Sequence, residues 1–259
     1  MTDVISSAQN PKVKLAKSLL LKKNRVKNGL YTVEGLKSVT DAAAAGADIK
    51  MIFLSEQSSS LQDDFAEYPC YIVGDEIFSG MCDTKTPQGV LAVIAINKRK
   101  FSFSKDEMYI CCDNVRDPGN LGTIIRTADA AGFGGVILYG DCADLYSPKT
   151  VRSSMGSFFH IPIYENASYE DIKKLKADGF KLFCGALSDK TVDYTEADFM
   201  SPFVICVGNE ANGISDEMEK AADKTVKIPI NGAAESLNVG IAAAVLMYEA
   251  VRQRNEKNC

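Results

Sequence analysis

Short apolar runs, separated by polar turns, recur along the whole chain. In the second half, residues 109–112, 136–139, 161–164, 181–186, 203–207 and 225–228 each have strand length. Most are continuously apolar rather than alternating, which is how strands buried on both faces read. Helical spacing fills the gaps. Leu121, Ile124, Ile125 and Ala128 form one apolar stripe, and residues 168–177 and 215–222 read as further helices. Strands alternating with helices predict a mostly parallel sheet covered on both faces. Near the end, Leu237, Val239, Ile241, Ala242, Val245, Leu246, Met247 and Val251 cover too wide an arc for a single buried stripe. Either that last helix is central and buried on two sides, or it carries a homodimer interface.

The first half alternates on a smaller scale. Asn10 before Pro11 predicts a helix running to about Leu21. A strand at 31–33 and a helix at 36–45 follow, the helix stopped by Gly46. Further strands are expected at 49–54, 71–73 and 89–96. The stretch Asn97-Lys-Arg-Lys-Phe-Ser-Phe-Ser-Lys-Asp106 is polar and lacks periodicity, as a linker does. The expected organisation is therefore a small α/β domain over 1–97, a linker over 98–106 and a larger α/β domain over 107–259. A length of 259 residues suits two domains.

Composition narrows the picture. A hydrophobic share of 46% supports a packed core. No apolar run is long enough to span a membrane, and the polar start from Met1 to Ser7 lacks a signal-peptide pattern. The expected location is cytoplasmic, with no membrane partner. Of eight cysteines, Cys111, Cys112, Cys184 and Cys206 fall in apolar strand-like runs, so buried free thiols are expected rather than disulfides. No Cys-x-x-Cys pair exists and His160 is the one histidine, so no metal site is expected and His160 reads as structural.

Charge is informative once divided. Residues 1–106 hold 14 Lys+Arg against 12 Asp+Glu, a net of +2, and residues 107–259 hold 15 against 22, a net of −7. Lys12, Lys14, Lys17, Lys22, Lys23, Arg25 and Lys27 crowd one segment. Such a run is either a solvated helix face or a surface that contacts phosphate.

The segment richest in candidate chemistry is Asp113-Asn-Val-Arg-Asp-Pro-Gly-Asn-Leu-Gly-Thr-Ile-Ile-Arg-Thr-Ala-Asp-Ala-Ala-Gly132. It puts a polar, glycine-rich turn between a strand and an amphipathic helix. That places Asn120 and Arg126 near the carboxyl edge of the sheet, where open α/β folds bind ligands. A dinucleotide fingerprint does not fit: Gly119 and Gly122 lack the third glycine, and Gly132-Phe-Gly-Gly135 precedes a strand instead of opening a helix.

Two later segments are Val204-Ile-Cys-Val-Gly-Asn-Glu-Ala-Asn-Gly213 and Ile228-Pro-Ile-Asn-Gly-Ala-Ala-Glu-Ser-Leu-Asn-Val239. Together, in this order, the three segments resemble the SpoU (TrmH-like) family of RNA ribose 2'-O-methyltransferases in the SPOUT superfamily. Glu34-Gly35 resembles that family's accessory substrate-binding domain. The resemblance implies a trefoil-knotted SPOUT methyltransferase domain at the C-terminus and a ribosomal protein L30e-like α/β domain in front of it. Periodicity shows no knot, and knots are rare exceptions to ordinary topology.

The resemblance also implies S-adenosylmethionine as cofactor, RNA as partner and a homodimer. Gly208, Asn209, Ile228, Ile230 and Leu237 would hold the cofactor, with Gly208 admitting close approach of a ligand and the aliphatics sandwiching an adenine. Asn120, Arg126, Glu210, Ser236 and Asn238 would form the catalytic set. Ser236 suits equally the N-cap of the last helix. Lys22, Lys23, Arg25, Arg116 and Arg152 would contact RNA; Arg152 precedes Ser153-Ser-Met-Gly156, which resembles a further family segment. A guanidinium keeps its proton at neutral pH, and removing it costs about 7 kcal/mol. Arg126 is therefore expected to clamp the adjacent phosphate and stabilise charge, with Asn120 positioning Arg126 or the ribose. The accessory domain favours 23S ribosomal RNA as substrate. A transfer RNA enzyme and a noncatalytic RNA-binding protein of the same fold are the alternatives.

Overall fold

A computed structural model of the chain describes residues 4–186, 191–209 and 211–257. The chain forms two compact units: one takes residues up to Asn97 together with Asp144–Phe159, the other Lys98–Ala143 and the chain from His160 onward.

In the first unit, α1 (Pro11–Ser18) begins as predicted, with the Asn10 side chain accepting Lys12 N–H at 2.9 Å. The predicted continuation to Leu21 breaks, and a separate α2 (Lys22–Asn28) follows. The break has a local cause. The carbonyls of Ser18, Leu19 and Leu20 turn outward and are taken by the side chains of Asn24 (2.9 Å) and Arg25 (2.6 and 2.9 Å). Next come β1 (Leu30–Glu34), α3 (Leu36–Ala44), β2 (Ile49–Ser55), β3 (Cys70–Val73), α4 (Asp75–Ser79) and β4 (Val90–Ala95). The sheet order is β1-β4-β2-β3, with β4 antiparallel to both neighbours and β3 parallel to β2. Along β4, Val90, Ala92 and Ile94 face one core while Leu91 and Val93 face the other. This is the period-2 alternation of a strand buried on both sides.

The stretch 144–159 builds into this unit. Val151 joins the core around Tyr31, and the rings of Tyr146 and Phe158 lie 5.0 and 5.7 Å from Tyr31. It carries a helix, Pro148–Ser153, that the periodicity did not predict. Six residues are too few to show a period, although Ser147 and Pro148 are proper start signals.

In the second unit, β5 (Met108–Asp113), α5 (Pro118–Ala130), β6 (Gly135–Tyr139), β7 (Ile163–Ala167), α6 (Tyr169–Ala177), β8 (Lys181–Gly185), β9 (Val192–Asp193), β10 (Phe203–Val207), α7 (Asp216–Ala221), β11 (Lys224–Lys227) and α8 (Val239–Lys257) follow in order. The sheet runs β7-β6-β5-β10-β8-β11-β9, and its strand pairs are parallel, as expected. β7 begins two residues later than predicted. Pro162 cannot donate to the ladder; only its carbonyl takes part, accepting Val136 N–H at 2.9 Å. The expected linker is partly core: Phe101 and Phe103 pack on Tyr164 at 5.6 and 4.9 Å. Val239, Ala243, Leu246, Met247 and Ala250 give α8 one buried face, which lies against α5 and β10. Ile241 and Tyr248 stay half exposed on another face, so the wide apolar arc divides into a packed stripe and an open one. Among the described residues, no helix is long and apolar enough to cross a membrane.

Candidate functional site

The β5–α5 turn sits at the carboxyl edge of the parallel sheet. Asp117 caps α5 by accepting Asn120 N–H at 2.8 Å, and Pro118 opens the helix with a fixed φ. Leu121, Ile124, Ile125 and Ala128 are buried, leaving Asn120 partly open and Arg126 exposed. Six residues of helix separate these two by about 9 Å along the axis and a third of a turn around it. The Asn120 side chain, expected to position Arg126 or the ribose, is bonded from the start of α8.

Its partner is Asn238. The Asn238 amide donates to Asn120 Oδ1 at 2.9 Å, while Asn238 Oδ1 accepts the N–H groups of Gly240 (2.9 Å) and Ile241 (3.3 Å). Asn238 is thus the N-cap of α8, a role the sequence offered to Ser236. Ser236 stands two residues earlier, exposed, and borders the cavity described next. Glu210 lies outside the described residues.

Beside these asparagines is a cavity of about 540 Å³. Gly208, Asn209, Ile228, Ile230 and Leu237 all line it. So do residues the motifs had not singled out: Gly185 at the end of β8 and Ala186 after it, Lys227 at the end of β11, and Ala242 and Leu246 on α8. The strand-end residues follow from the rule that parallel sheets bind at their carboxyl edge. The helix residues had been read as core and dimer face.

Gly208 is also required by the chain's own packing. A Cβ there would meet the backbone of Gly213 and Ile214 at 2.1–2.2 Å. The glycine admits the chain's own returning loop. That loop closes through paired backbone bonds between Asn209 and Gly213 of 2.7 and 2.9 Å. Asn209 spends its side chain inside the protein: Oδ1 accepts Ala211 and Asn212 N–H, and Nδ2 donates to the Asn114 carbonyl at 2.9 Å. Its contribution to the cavity is the shape of the loop.

The cavity suits a small polar molecule with an apolar ring. Its walls are aliphatic at Ile228, Ile230, Leu237, Val239 and Leu246, and polar at Glu219, Lys227, Glu235 and Ser236. That mixture fits S-adenosylmethionine, which joins an adenine to a zwitterionic amino acid. Cys142, at the same sheet edge, is no nucleophile. Burial pushes its thiol up to about 12, and the thiol donates to the carbonyls of Cys112 and Tyr139. No group of three or more potential metal ligands occurs among the described residues. His160 lies on the surface, 3.4 Å from Asp129.

The expected RNA-contacting residues divide into two kinds. Lys22 and Lys23 are exposed, with no ion pair among the described residues, and Lys12, Lys14, Lys17 and Lys27 are exposed on the same two helices. Arg25 is not available. It is 4% exposed, donates to the Leu19 and Leu20 carbonyls, and pairs with Asp144. It ties the 144–159 stretch into its unit. Arg152 is half exposed and bonded to Asp83 at 3.0 Å. Arg116 is well exposed, with Asp141 at 3.3 Å; such a surface pair is worth little and opens easily to phosphate.

The SpoU rRNA methylase family model matches residues 107–248, and a model of the MRM3-like substrate-binding domain matches residues 10–92. The chain is 38% identical to the 23S rRNA (guanosine(2553)-2'-O)-methyltransferase RlmP of Bacillus subtilis, over 94% of this chain and 97% of that one. Among solved structures, the AdoMet-bound rRNA methyltransferase of Sinorhizobium meliloti superposes with a TM-score of 0.89 at 35% identity, covering 97% of this chain and 98% of that one. The SpoU methyltransferase AviRb of Streptomyces viridochromogenes with AdoMet gives 0.87 at 29% identity, covering 95% and 99%. With its cavity, its asparagine pair and these matches over nearly its full length, the chain belongs to the SpoU rRNA methylase family.

Proposed function

We propose that this protein methylates a ribose 2'-hydroxyl of 23S ribosomal RNA, with S-adenosylmethionine as cofactor. The observation that carries the reading is the cavity bordered by Gly208, Ile228, Ile230, Ser236 and Leu237, beside the Asn120–Asn238 pair. Ribosomal RNA is favoured over transfer RNA because a relative named for 23S rRNA matches from end to end, substrate-binding domain included.

Bound S-adenosylmethionine would supply a methyl group on a positively charged sulfur. The chain's residues do the rest. Ile228, Ile230 and Leu237 hold the adenine by apolar contact. Asn120 and Asn238 fix one another beside the cavity and orient the ribose. Arg126, exposed on α5, holds the neighbouring phosphate. It also offsets the negative charge that grows on the 2'-oxygen as that atom passes its proton to solvent and bonds the methyl carbon, the carbon–sulfur bond breaking to leave S-adenosylhomocysteine. Lys22 and Lys23 supply sequence-independent phosphate contact from the substrate-binding unit.

The half-exposed Ile241 and Tyr248, one helical face apart by seven residues, support a homodimer through α8. The trefoil knot belongs to this reading through family membership, and a cytoplasmic location through the residue pattern alone. The test is S-adenosylmethionine binding by calorimetry, then methyl transfer to unmodified 23S and transfer RNA in competition. Transfer to 23S RNA supports the proposal; binding without transfer to either RNA favours a noncatalytic RNA-binding role.

A further inference from the structure

β5 ends on Asp113 and Asn114 follows it; neither lines the cavity, and the mechanism above leaves both unused. Asp113 is fully buried, at 0% exposure. Its Oδ2 accepts Ser215 N–H at 2.6 Å and its Oδ1 accepts the Asn114 amide at 2.6 Å. Asn114 adopts the left-handed conformation, φ 56°, which asparagine takes more readily than most residues with a side chain and which hydrogen bonds secure. The surroundings are plain. Asn114 N–H donates to Tyr139 at 3.0 Å, its carbonyl accepts the Asn209 amide at 2.9 Å, and its Oδ1 accepts Asp141 N–H at 2.8 Å. Gly140 is bare on the same side, where a Cβ would stand 2.6 Å from Asn114 Oδ1.

These bonds converge on one element, the loop from Gly208 to Ser215. Asn114 holds its beginning through Asn209, and Asp113 holds its end through Ser215. Between the two anchors, the described residues of the loop bond to one another, and Gly208, Asn209, Ala211, Asn212, Gly213 and Ile214 line the cavity. Ser215 also starts α7, so Asp113 fixes where that helix begins.

We propose that Asp113 and Asn114 are positioning residues for the cofactor: together they hold the 208–215 loop in its binding shape from both ends. The inference rests on the reading that this cavity takes S-adenosylmethionine. It predicts that loosening the pair weakens the cofactor while leaving the sheet and the RNA-binding unit untouched. A buried carboxylate with only structural duties would instead lower the stability of the whole unit when altered.

Two variants separate these outcomes. Asp113→Asn keeps the shape but replaces one acceptor with an amide that faces a donor. Asn114→Gly keeps the left-handed backbone and the carbonyl that Asn209 bonds, but removes both side-chain bonds that hold that carbonyl in place. S-adenosylhomocysteine binding is measured by calorimetry, and amide exchange is followed by mass spectrometry. The expected result is affinity weakened about tenfold, the equivalent of about 1.4 kcal/mol. Exchange rises over 208–215, protection of β5 and β10 is unchanged, and RNA affinity is unchanged. Variants that bind as tightly as the unaltered protein overturn the proposal, as does protection lost equally across β5 and β10. If the unaltered protein itself fails to bind S-adenosylhomocysteine, the proposed function falls, and this inference with it.

Discussion

Asn120 and Asn238, 118 positions apart in the chain, share a side-chain hydrogen bond of 2.9 Å. One stands in the first turn of α5 and the other caps α8. Gly240 eases the approach, since a Cβ there would press on Thr123 of α5 at 3.2 Å. Through this bond the strand-end turn and the C-terminal cavity segment become one site.

Removing the link should be measurable in two ways. Asn238→Ala strips the α8 cap and leaves Asn120 without this partner. Loss of an N-cap costs about 1 kcal/mol, so unfolding in urea should shift modestly. Methyl transfer should fall far more than that shift explains. Asn238→Ser, which can still cap, should recover the stability but not the rate.

Arg126 is exposed and makes no ion pair with a described residue, so its removal should leave the fold alone. Arg126→Ala should slow transfer by about 100-fold or more, the usual scale for a lost charge-stabilising group, with S-adenosylhomocysteine affinity and melting temperature unchanged. Arg126→Lys should recover little, because a point charge does not reproduce the guanidinium fork. A parallel loss of melting temperature would assign Arg126 to structure.

Arg25 and its lysine neighbours should respond in opposite ways. Arg25→Ala leaves Asp144 without its partner and two carbonyls without donors, a loss of about 3 kcal/mol for a buried pair. Denaturant midpoints should report it. Lys22→Ala and Lys23→Ala should leave stability alone, weaken RNA binding, and each lower the salt dependence of binding by about one unit of slope.

The open face of α8 gives a prediction about assembly. Placing a charge at Ile241 or Tyr248, as Ile241→Glu or Tyr248→Glu, should convert a dimer to monomer in sedimentation velocity. The buried stripe of Ala243, Leu246 and Met247 keeps the helix folded. A sedimentation coefficient that does not change would place the interface elsewhere.

Much of this architecture was legible beforehand. The parallel strands announce themselves as apolar runs, and Asn10-Pro11 as a helix start. The cavity residues Gly208, Ile228, Ile230 and Leu237 came from motif resemblance, and they do line one cavity. Three things were hidden, each for a physical reason. The break between α1 and α2 depends on side chains capping carbonyls, which no periodicity records. The fate of Arg25 depends on Asp144, 119 residues away, so a basic run could not separate a buried arginine from exposed lysines. The duties of Gly208, Asn209 and Ser236 depend on how the returning loop and α8 begin, and only coordinates show that Asn238 holds the cap.

The central claim is methyl transfer to a ribose 2'-oxygen of 23S ribosomal RNA. The most direct measurement incubates the protein with methyl-labelled S-adenosylmethionine and unmodified 23S RNA, hydrolyses the RNA in alkali, and separates the products. A 2'-O-methyl group blocks cleavage at its own phosphate, so the account predicts label in an alkali-resistant dinucleotide, absent with Arg126→Ala. Label recovered only in mononucleotides would place the methyl on a base and contradict the account.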